Sequence, residues 1–355
     1  MIQNKVFAIG IMSGTSLDGI DFVYVRFDTN YYANFEILEA TTISYSSEWK
    51  LKLQNAISFS ADALQQLDVD YGKLLGEKTN DFIRKFNIGT INFIASHGHT
   101  VLHQPDKGIT LQVGNGQVLA SMTNQKVICD FRTQDVKLGG QGAPLVPIGD
   151  ELLFPEYDFC LNLGGFANVS FKKGGKRIAY DICPVNIVLN HYVKKIGLDF
   201  DDSGKIASAG TIHTALLVKL NELDFYEKEP PKSLGLEWVQ KHVFPLIDEL
   251  ETDVSVILRT FVEHVAAQIS NSIKPGTNVL CTGGGTYHAF LMGRIQELLK
   301  TEITLPTTKL IDFKEALIFA FLGLLRSKKE MNCLQSVTGA LKDHSSGVVF
   351  YPKGI

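Results

Sequence analysis

One pattern, met twice, constrains the fold of this chain more than any other. It is a run of three short apolar strands, the first two joined by a turn of glycine and small polar residues. Residues 5–12, 21–27 and 35–43 alternate apolar and polar positions and are rich in Val, Phe and Tyr, so they read as a three-stranded meander. Residues 158–163 and 169–172 flank the turn Gly164-Gly165-Phe166-Ala167-Asn168, and 177–180 supply another third strand. The two turns lie roughly 150 residues apart, about one domain length, so the pattern predicts a duplicated lobe. A chain of 355 residues exceeds what one core usually supports, and with 45% apolar and 20% charged residues it has material for two.

Between the repeats, helix-spaced apolar positions over 48–59 and 61–86, such as Leu67, Tyr71, Leu75 and Phe82, lead into a strand at 91–96, a crossover into a sheet. After the second meander, helices are predicted over 186–196 and 246–273, the latter ending before Lys274-Pro275-Gly276. A strand at 278–281, a helix at 289–299 and a buried helix at 312–325 follow, and Glu315, three residues after Asp312, fits a capping box. The formal charge of -4 and the lack of a Lys/Arg run argue against nucleic acid or a membrane surface as partner. Gly10, Ser13 and Asp18 interrupt the apolar start short of a membrane span and no basic n-region precedes it, so a cytoplasmic protein is expected. Cys129, Cys160, Cys183, Cys281 and Cys333 form no CxxC pair and read as buried thiols in a reducing compartment.

The turns carry the candidate chemistry. In the opening turn Gly10, Gly14 and Gly19 permit positive φ, so backbone N–H groups can converge on an anion, with Thr15 and Ser16 adding hydroxyls. Asp18 would repel a phosphate and suits a metal ion beside it. The same residues also serve a plain hairpin turn. Thr282-Gly283-Gly284-Gly285-Thr286 follows a strand and precedes a helix, which fits a base or phosphate against bare backbone, or only a tight turn. His97, His99 and His103 can share a face around zinc, but no carboxylate or Cys follows at metal spacing, so orienting a ligand or loop is the favoured role. Arg132, in the glycine-rich stretch 129–147, offers a planar fork for a carboxylate, or a structural pair with a neighbouring Asp. Asp181 ends the third strand of the second meander, where it serves as a general base or caps the helix that follows.

These residues together resemble the anhydro-N-acetylmuramic acid kinase family, within the superfamily of sugar kinases, actin and heat-shock ATPases. The matching stretches are the opening loop, His97-Gly98, Gln112-Val113-Gly114, Asp130-Phe131-Arg132, 138–147, 161–170, Tyr180-Asp181, Pro231-Lys232-Ser233, Gly283 to Gly285, Glu315-Ala316 and 336–339. The resemblance implies an α/β fold of two duplicated actin-like, ribonuclease H-like lobes with mixed sheets and an interlobe cleft. The lobes are expected at 1–130 plus 331–355 and at 131–330. It implies ATP held by Gly14, Thr15, Ser16, Leu17, Asp18, Gly19, Ile20 and Asp21, by Gly164, Gly165 and Asn168, and by Gly283, Gly284 and Gly285. Magnesium would meet Asp18.

The implied acceptor is the amino sugar 1,6-anhydro-N-acetylmuramic acid, opened by water and phosphorylated on its 6-oxygen in peptidoglycan recycling. Asp181 would be the base, Arg132 the partner of the lactyl carboxylate, and His97, Gln141, Asn186 and Glu315 further sugar contacts; a homodimer is expected. The family usually has Gln where His99 stands, which speaks against a metal cluster there. Most members follow the base with Thr-Gly-Pro-Gly-Asn, whereas this chain has Ile182-Cys183-Pro184-Val185-Asn186, bringing side chains where the backbone is bare. A kinase or ATPase with another acceptor, or a non-catalytic nucleotide-binding regulator, would keep the same fold; the retained Asp18 and Asp181 favour an enzyme.

Overall fold

Lys5–Ser13 (β1), Ile20–Asp28 (β2) and Phe35–Ile43 (β3) form the expected antiparallel meander, β1 and β2 in unbroken register from Lys5 opposite Asp28 to Ser13 opposite Ile20. The computed structural model describes residues 4–14 and 16–353. The helix Ala61–Lys85 starts where the Ser60 side chain accepts from the Ala63 N–H, and it buries Leu67, Tyr71, Leu75 and Phe82. It crosses to Phe93–Ser96 (β4), parallel to β1 and buried along its length, as an apolar central strand must be. His99–Gln104 (β5) and Ile109–Val113 (β6) make a separate ribbon, and Val127–Cys129 (β7) lies parallel to β4.

The pattern recurs with Phe159–Leu163 (β8), Phe166–Lys173 (β9) and Lys176–Pro184 (β10), again an antiparallel meander, followed by Val279–Thr282 (β11) and Ile303–Thr304 (β12), each parallel to its neighbour. Val348–Phe350 (β13) returns antiparallel to β7. The sheet orders are β13-β7-β4-β1-β2-β3 and β10-β9-β8-β11-β12. Each sheet therefore reads third, second and first meander strand, then two parallel strands. This shared order is the duplicated, mixed-sheet α/β architecture that the repeat predicts.

The chain forms two compact units, one comprising the residues up to Phe154 and from Phe313 on, the other Pro155–Asp312. Both boundaries differ from the expected division. Residues 131–154 stay with the first unit because Ser346 Oγ donates to the Phe131 carbonyl, 2.7 Å, and the Lys314 ammonium meets the buried Asp150 carboxylate at 2.7 Å. The helix Thr308–Ser327 belongs there beyond Asp312 because it lies on the first sheet: a β-carbon at Gly10 would strike the carbonyl of Ala316. Close approach, not positive φ, is what Gly10 supplies; Gly10, Gly14 and Gly19 are all absent from the left-handed region, which Leu17 occupies at φ 58.

Two helices also differ from expectation. Residues 246–273 form two, Phe244–Leu250 and Val254–Ser272, because Glu251 is extended and Asp253 caps the second by accepting from Ser255 N and Val256 N. The last long helix begins at Thr308, so Asp312 and Glu315 lie inside it and form no capping box. All five cysteines are buried and unbridged. No helix among the described residues is long and apolar enough to cross a membrane.

Candidate active site

In the first unit the candidate groups collect at the carboxyl ends of the parallel strands β1, β4 and β7, where open α/β sheets hold ligands. Ser13 Oγ, at the end of β1, donates to the Gly98 carbonyl at 3.1 Å and accepts from Tyr71 OH at 2.8 Å. His97 follows β4, buried against Phe319 with ring centroids 4.6 Å apart. Its Nε2 accepts from Arg132 Nε at 3.0 Å, which leaves Nδ1–H to donate to the Gly98 carbonyl at 2.9 Å. Burial, and then the Arg132 charge, push the His97 pKa well below the imidazole range, so the ring is neutral and this tautomer is fixed. His97 therefore holds the arginine.

Arg132 Nη1 donates to the Gly142 carbonyl at 2.6 Å, and among the described residues Nη2 has no hydrogen-bond partner. With two corners anchored, the remaining edge of the fork is aimed, which suits a carboxylate. Burial lowers the Arg132 pKa, with Glu315 acting the other way; Arg132 stays charged in any case. The Glu315 pKa is raised by loss of water and opposed by Arg132 and Lys314. Its side chain keeps an exposed surface, so a ligand can reach it, and the upward push reflects protein crowded around the carboxylate and not a sealed core. Gln141 is exposed, its backbone N–H donating to the Thr338 carbonyl at 2.8 Å.

The opening turn is sorted by burial. Ser16 and Asp18 are exposed, Ser16 Oγ donating to Asp18 Oδ1 at 2.8 Å, and Gly14 is half-buried. Leu17 and Ile20 turn their side chains into the core, Asp21 Oδ1 accepts from Thr42 Oγ1 at 2.5 Å, and Gly19 packs against Thr42 and Ile43. Thr15 lies outside the described residues. His99 is buried on Tyr71, and desolvation lowers its pKa to about 4; His103 Nδ1 lies 3.1 Å from Thr110 Oγ1. Among the described residues these histidines form no group of metal donors.

In the second unit, register lines up a polar row. Asp181 on β10 faces Asn168 on β9, Asn168 faces Asn162 on β8, and Asn162 lies beside Thr282 on β11. Paired residues share a sheet face, so these four side chains stand side by side. Sequence reasoning names Thr282 only as the start of the glycine loop and does not single out Asn162, whose one signal is a lone Asn within the apolar run of β8. Beside the row Gly283 has φ +89, and a β-carbon there would lie 2.7 Å from both Asn162 Oδ1 and the Leu163 carbonyl oxygen, so the turn requires glycine. Gly284 is exposed and open, Gly285 is buried against Leu163, and Gly164 and Gly165 accept at their carbonyls from Asn186 N, 3.3 Å, and Val185 N, 2.8 Å. The glycine turns and Asn186 thus adjoin the row that ends in Asp181.

Asp181 is no helix cap. β10 continues past it to Pro184 through a bulge, the helix Asn186–Lys194 has no side-chain cap, and Asp181 Oδ2 accepts from Leu234 N at 2.8 Å. Burial raises the Asp181 pKa, against the opposing effect of the Leu234 N–H. A half-buried carboxylate held at one oxygen and more basic than usual is equipped to take a proton from water. A cavity of about 410 Å3 near Tyr180 and Lys232 opens on the other side of the strand, because Tyr180 and Asp181 alternate.

Against known proteins, the family model for anhydro-N-acetylmuramic acid kinase matches residues 6–352. The chain belongs to the anhydro-N-acetylmuramic acid kinase family. It is 32% identical over 369 residues to the anhydro-N-acetylmuramic acid kinase of Vibrio cholerae, covering 97% of this chain and 98% of that one. It is 32% identical over 365 residues to that of Acinetobacter baylyi, covering 94% and 96%. Component A of (R)-2-hydroxyglutaryl-CoA dehydratase from Acidaminococcus fermentans resembles it more loosely, at TM-score 0.46 and 12% identity, over 89% of this chain and 96% of that one. For a member of the anhydro-N-acetylmuramic acid kinase family, the altered residues after Asp181 are placed inward: Ile182, Cys183 and Val185 are buried in the core of the second unit. Cys183 and Val185 are wholly buried there, and Ile182 borders the cavity beside Tyr180 and Lys232, on the face of the strand away from Asp181.

Proposed function

We propose that this protein is an ATP-dependent kinase that opens 1,6-anhydro-N-acetylmuramic acid with water and phosphorylates the freed 6-oxygen, giving N-acetylmuramic acid 6-phosphate. The family match across residues 6–352 carries the reading, and the desolvated carboxylate of Asp181 supplies its chemistry. Asp181 takes a proton from water as the water oxygen bonds to the anomeric carbon. The bond from that carbon to the bridging 6-oxygen breaks, and the 6-oxygen accepts the γ-phosphoryl group as ADP leaves.

Arg132 pairs with the lactyl carboxylate, with His97 holding it, while Glu315, Gln141 and Asn186 contact the sugar. The half-buried Gly14, the exposed Ser16 and Asp18 and the turns Gly164-Gly165 and Gly283 to Gly285, with Asn168, contact ATP. The hard oxygen donors of Ser16 and Asp18 fit magnesium, which when bound neutralises phosphate charge. Working in the cytoplasm, as a homodimer, such an enzyme would return cell-wall sugar for reuse. Turnover in oxygen-18 water tests the chemistry. The label is expected on the anomeric hydroxyl, with the 6-phosphate ester oxygen unlabelled; label at the ester oxygen, or no turnover with ATP and this sugar, overturns the proposal.

A further inference from the structure

A second cluster of side chains, unused by that chemistry, lies in the first unit. Cys333 and His344 face each other across an isolated antiparallel bridge, each N–H donating to the other's carbonyl at 3.1 Å. Directly paired residues project to one side, and there the carboxylate of Asp135 meets them: one donor atom from each of the three lies within 4.8 Å of the others. Their exposures are 0% for Asp135, 2% for Cys333 and 5% for His344, so the cluster is sealed from bulk water.

The hydrogen bonds leave one position without an explanation. His344 Nδ1 lies 3.1 Å from the Lys342 carbonyl oxygen and donates to it, so the lone pair of Nε2 points away from that bond. Nε2 has no hydrogen-bond partner among the described residues and stands 3.5 Å from Asp135 Oδ1, too far for an ordinary N–H···O bond. Two electron-rich atoms at that separation, with a sulfur beside them, match the edges of a tetrahedral site, where bonds of about 2.0–2.3 Å put ligands about 3.3–3.8 Å apart. The surroundings fit as well. A ligating histidine donates its other ring N–H to a carbonyl, and a ligating carboxylate is itself hydrogen-bonded. Here Asp135 Oδ2 accepts from Gly142 N and Oδ1 from Thr338 Oγ1, both at 2.7 Å.

We propose that Asp135, Cys333 and His344 form a structural binding site for a divalent transition metal of the zinc type. Binding displaces the Cys333 thiol proton to water, so a carboxylate, a thiolate and a neutral imidazole balance the dication. Water completes the coordination. The metal ties the C-terminal segment to the loop 132–142, whose Gly142 carbonyl anchors Arg132.

Titration of the full-length protein with cobalt(II), followed by competition with zinc, tests the site. One equivalent of cobalt should give a thiolate-to-metal charge-transfer band that zinc abolishes, and zinc should raise the unfolding temperature. Cys333→Ser, which keeps the side chain's size, should lose the band and the stabilisation, and His344→Ala should weaken cobalt affinity by more than the ~10–100-fold that loss of an outer partner costs. No charge-transfer band in the wild type, or a band or zinc stabilisation that survives in Cys333→Ser, overturns the site. A surviving band would assign the metal to another of the free cysteines and zinc stabilisation surviving alone to other histidines, while no band would leave His344 and Asp135 as neighbours without a metal.

Discussion

Asp181→Asn separates chemistry from structure at the residue on which the proposed reaction turns. The exchange keeps size and a side-chain oxygen that can still accept from Leu234 N, 2.8 Å from Asp181 Oδ2, so the loop it holds should stay in place. What it removes is the basic oxygen. A positioned base contributes typically about 10²–10⁴-fold, or about 2.7–5.4 kcal/mol at 1.36 kcal/mol per tenfold, and kcat should fall by that amount while ATP stabilisation persists. Stability should move the other way. Burial raises the folded-state pKa of Asp181, so above the ordinary aspartate value near ~3.9 the native protein carries a charge it would hold more easily unfolded. The contribution of this group to stability is therefore greatest at low pH, where both states are protonated, and is lost as pH rises through the folded pKa. Asn removes the penalty, and the variant's unfolding temperature at neutral pH should equal or exceed that of the wild type. The same shift should place the acid limb of wild-type kcat/KM above the usual carboxylate range. ADP release with the anhydro-sugar, thermal unfolding and the pH profile measure all three. Near-normal turnover in the variant would remove Asp181 from catalysis, and a marked loss of stability would make it a structural residue.

Arg132→Ala should raise KM for an acceptor bearing the lactyl carboxylate by roughly 10- to 150-fold, from the ~1.5–3 kcal/mol of a charge-assisted contact, with kcat less affected; Arg132→Lys should rescue only part of it, because the fork is lost. An unchanged KM in steady-state kinetics returns Arg132 to the loop-holding bonds it makes with His97 and Gly142. Asp18→Ala should abolish the extra thermal stabilisation that magnesium adds to ATP, since the exposed carboxylate is the hard donor of the opening turn; equal stabilisation in wild type and variant excludes it.

The duplication was legible because a meander followed by crossovers writes itself as local strand pattern, twice. The boundaries were not, because they depend on contacts far apart in sequence. Gly10 and Ala316 meet across more than half the chain, and nothing local at either position announces it. Residues 246–273 read as one helix in sequence because apolar spacing continues across Glu251 to Asp253, where only the cap shows the break. At the site, single residues with distinctive chemistry could be named in advance, but their partners could not. That His97 serves Arg132 follows from the two meeting at neighbouring strand ends, and the polar row from Asp181 to Thr282 exists only once three strands settle in register.

The loop after Asp181 shows the same limit with a consequence that can be measured. In sequence, Cys183 replaces a family glycine beside the base, which reads as a side chain added to the sugar site. The folded chain points that side chain into the core of the second unit, where it is wholly buried. Cys183→Gly should therefore not open the site. It removes a buried side chain and places glycine in a strand, and the two losses together predict a destabilisation of about 2–3 kcal/mol. Denaturant unfolding should show a lower midpoint with an unchanged slope, and KM for the sugar should be unaltered. A variant of wild-type stability that binds sugar more tightly would refute the inward placement and make Cys183 a brake on the substrate site.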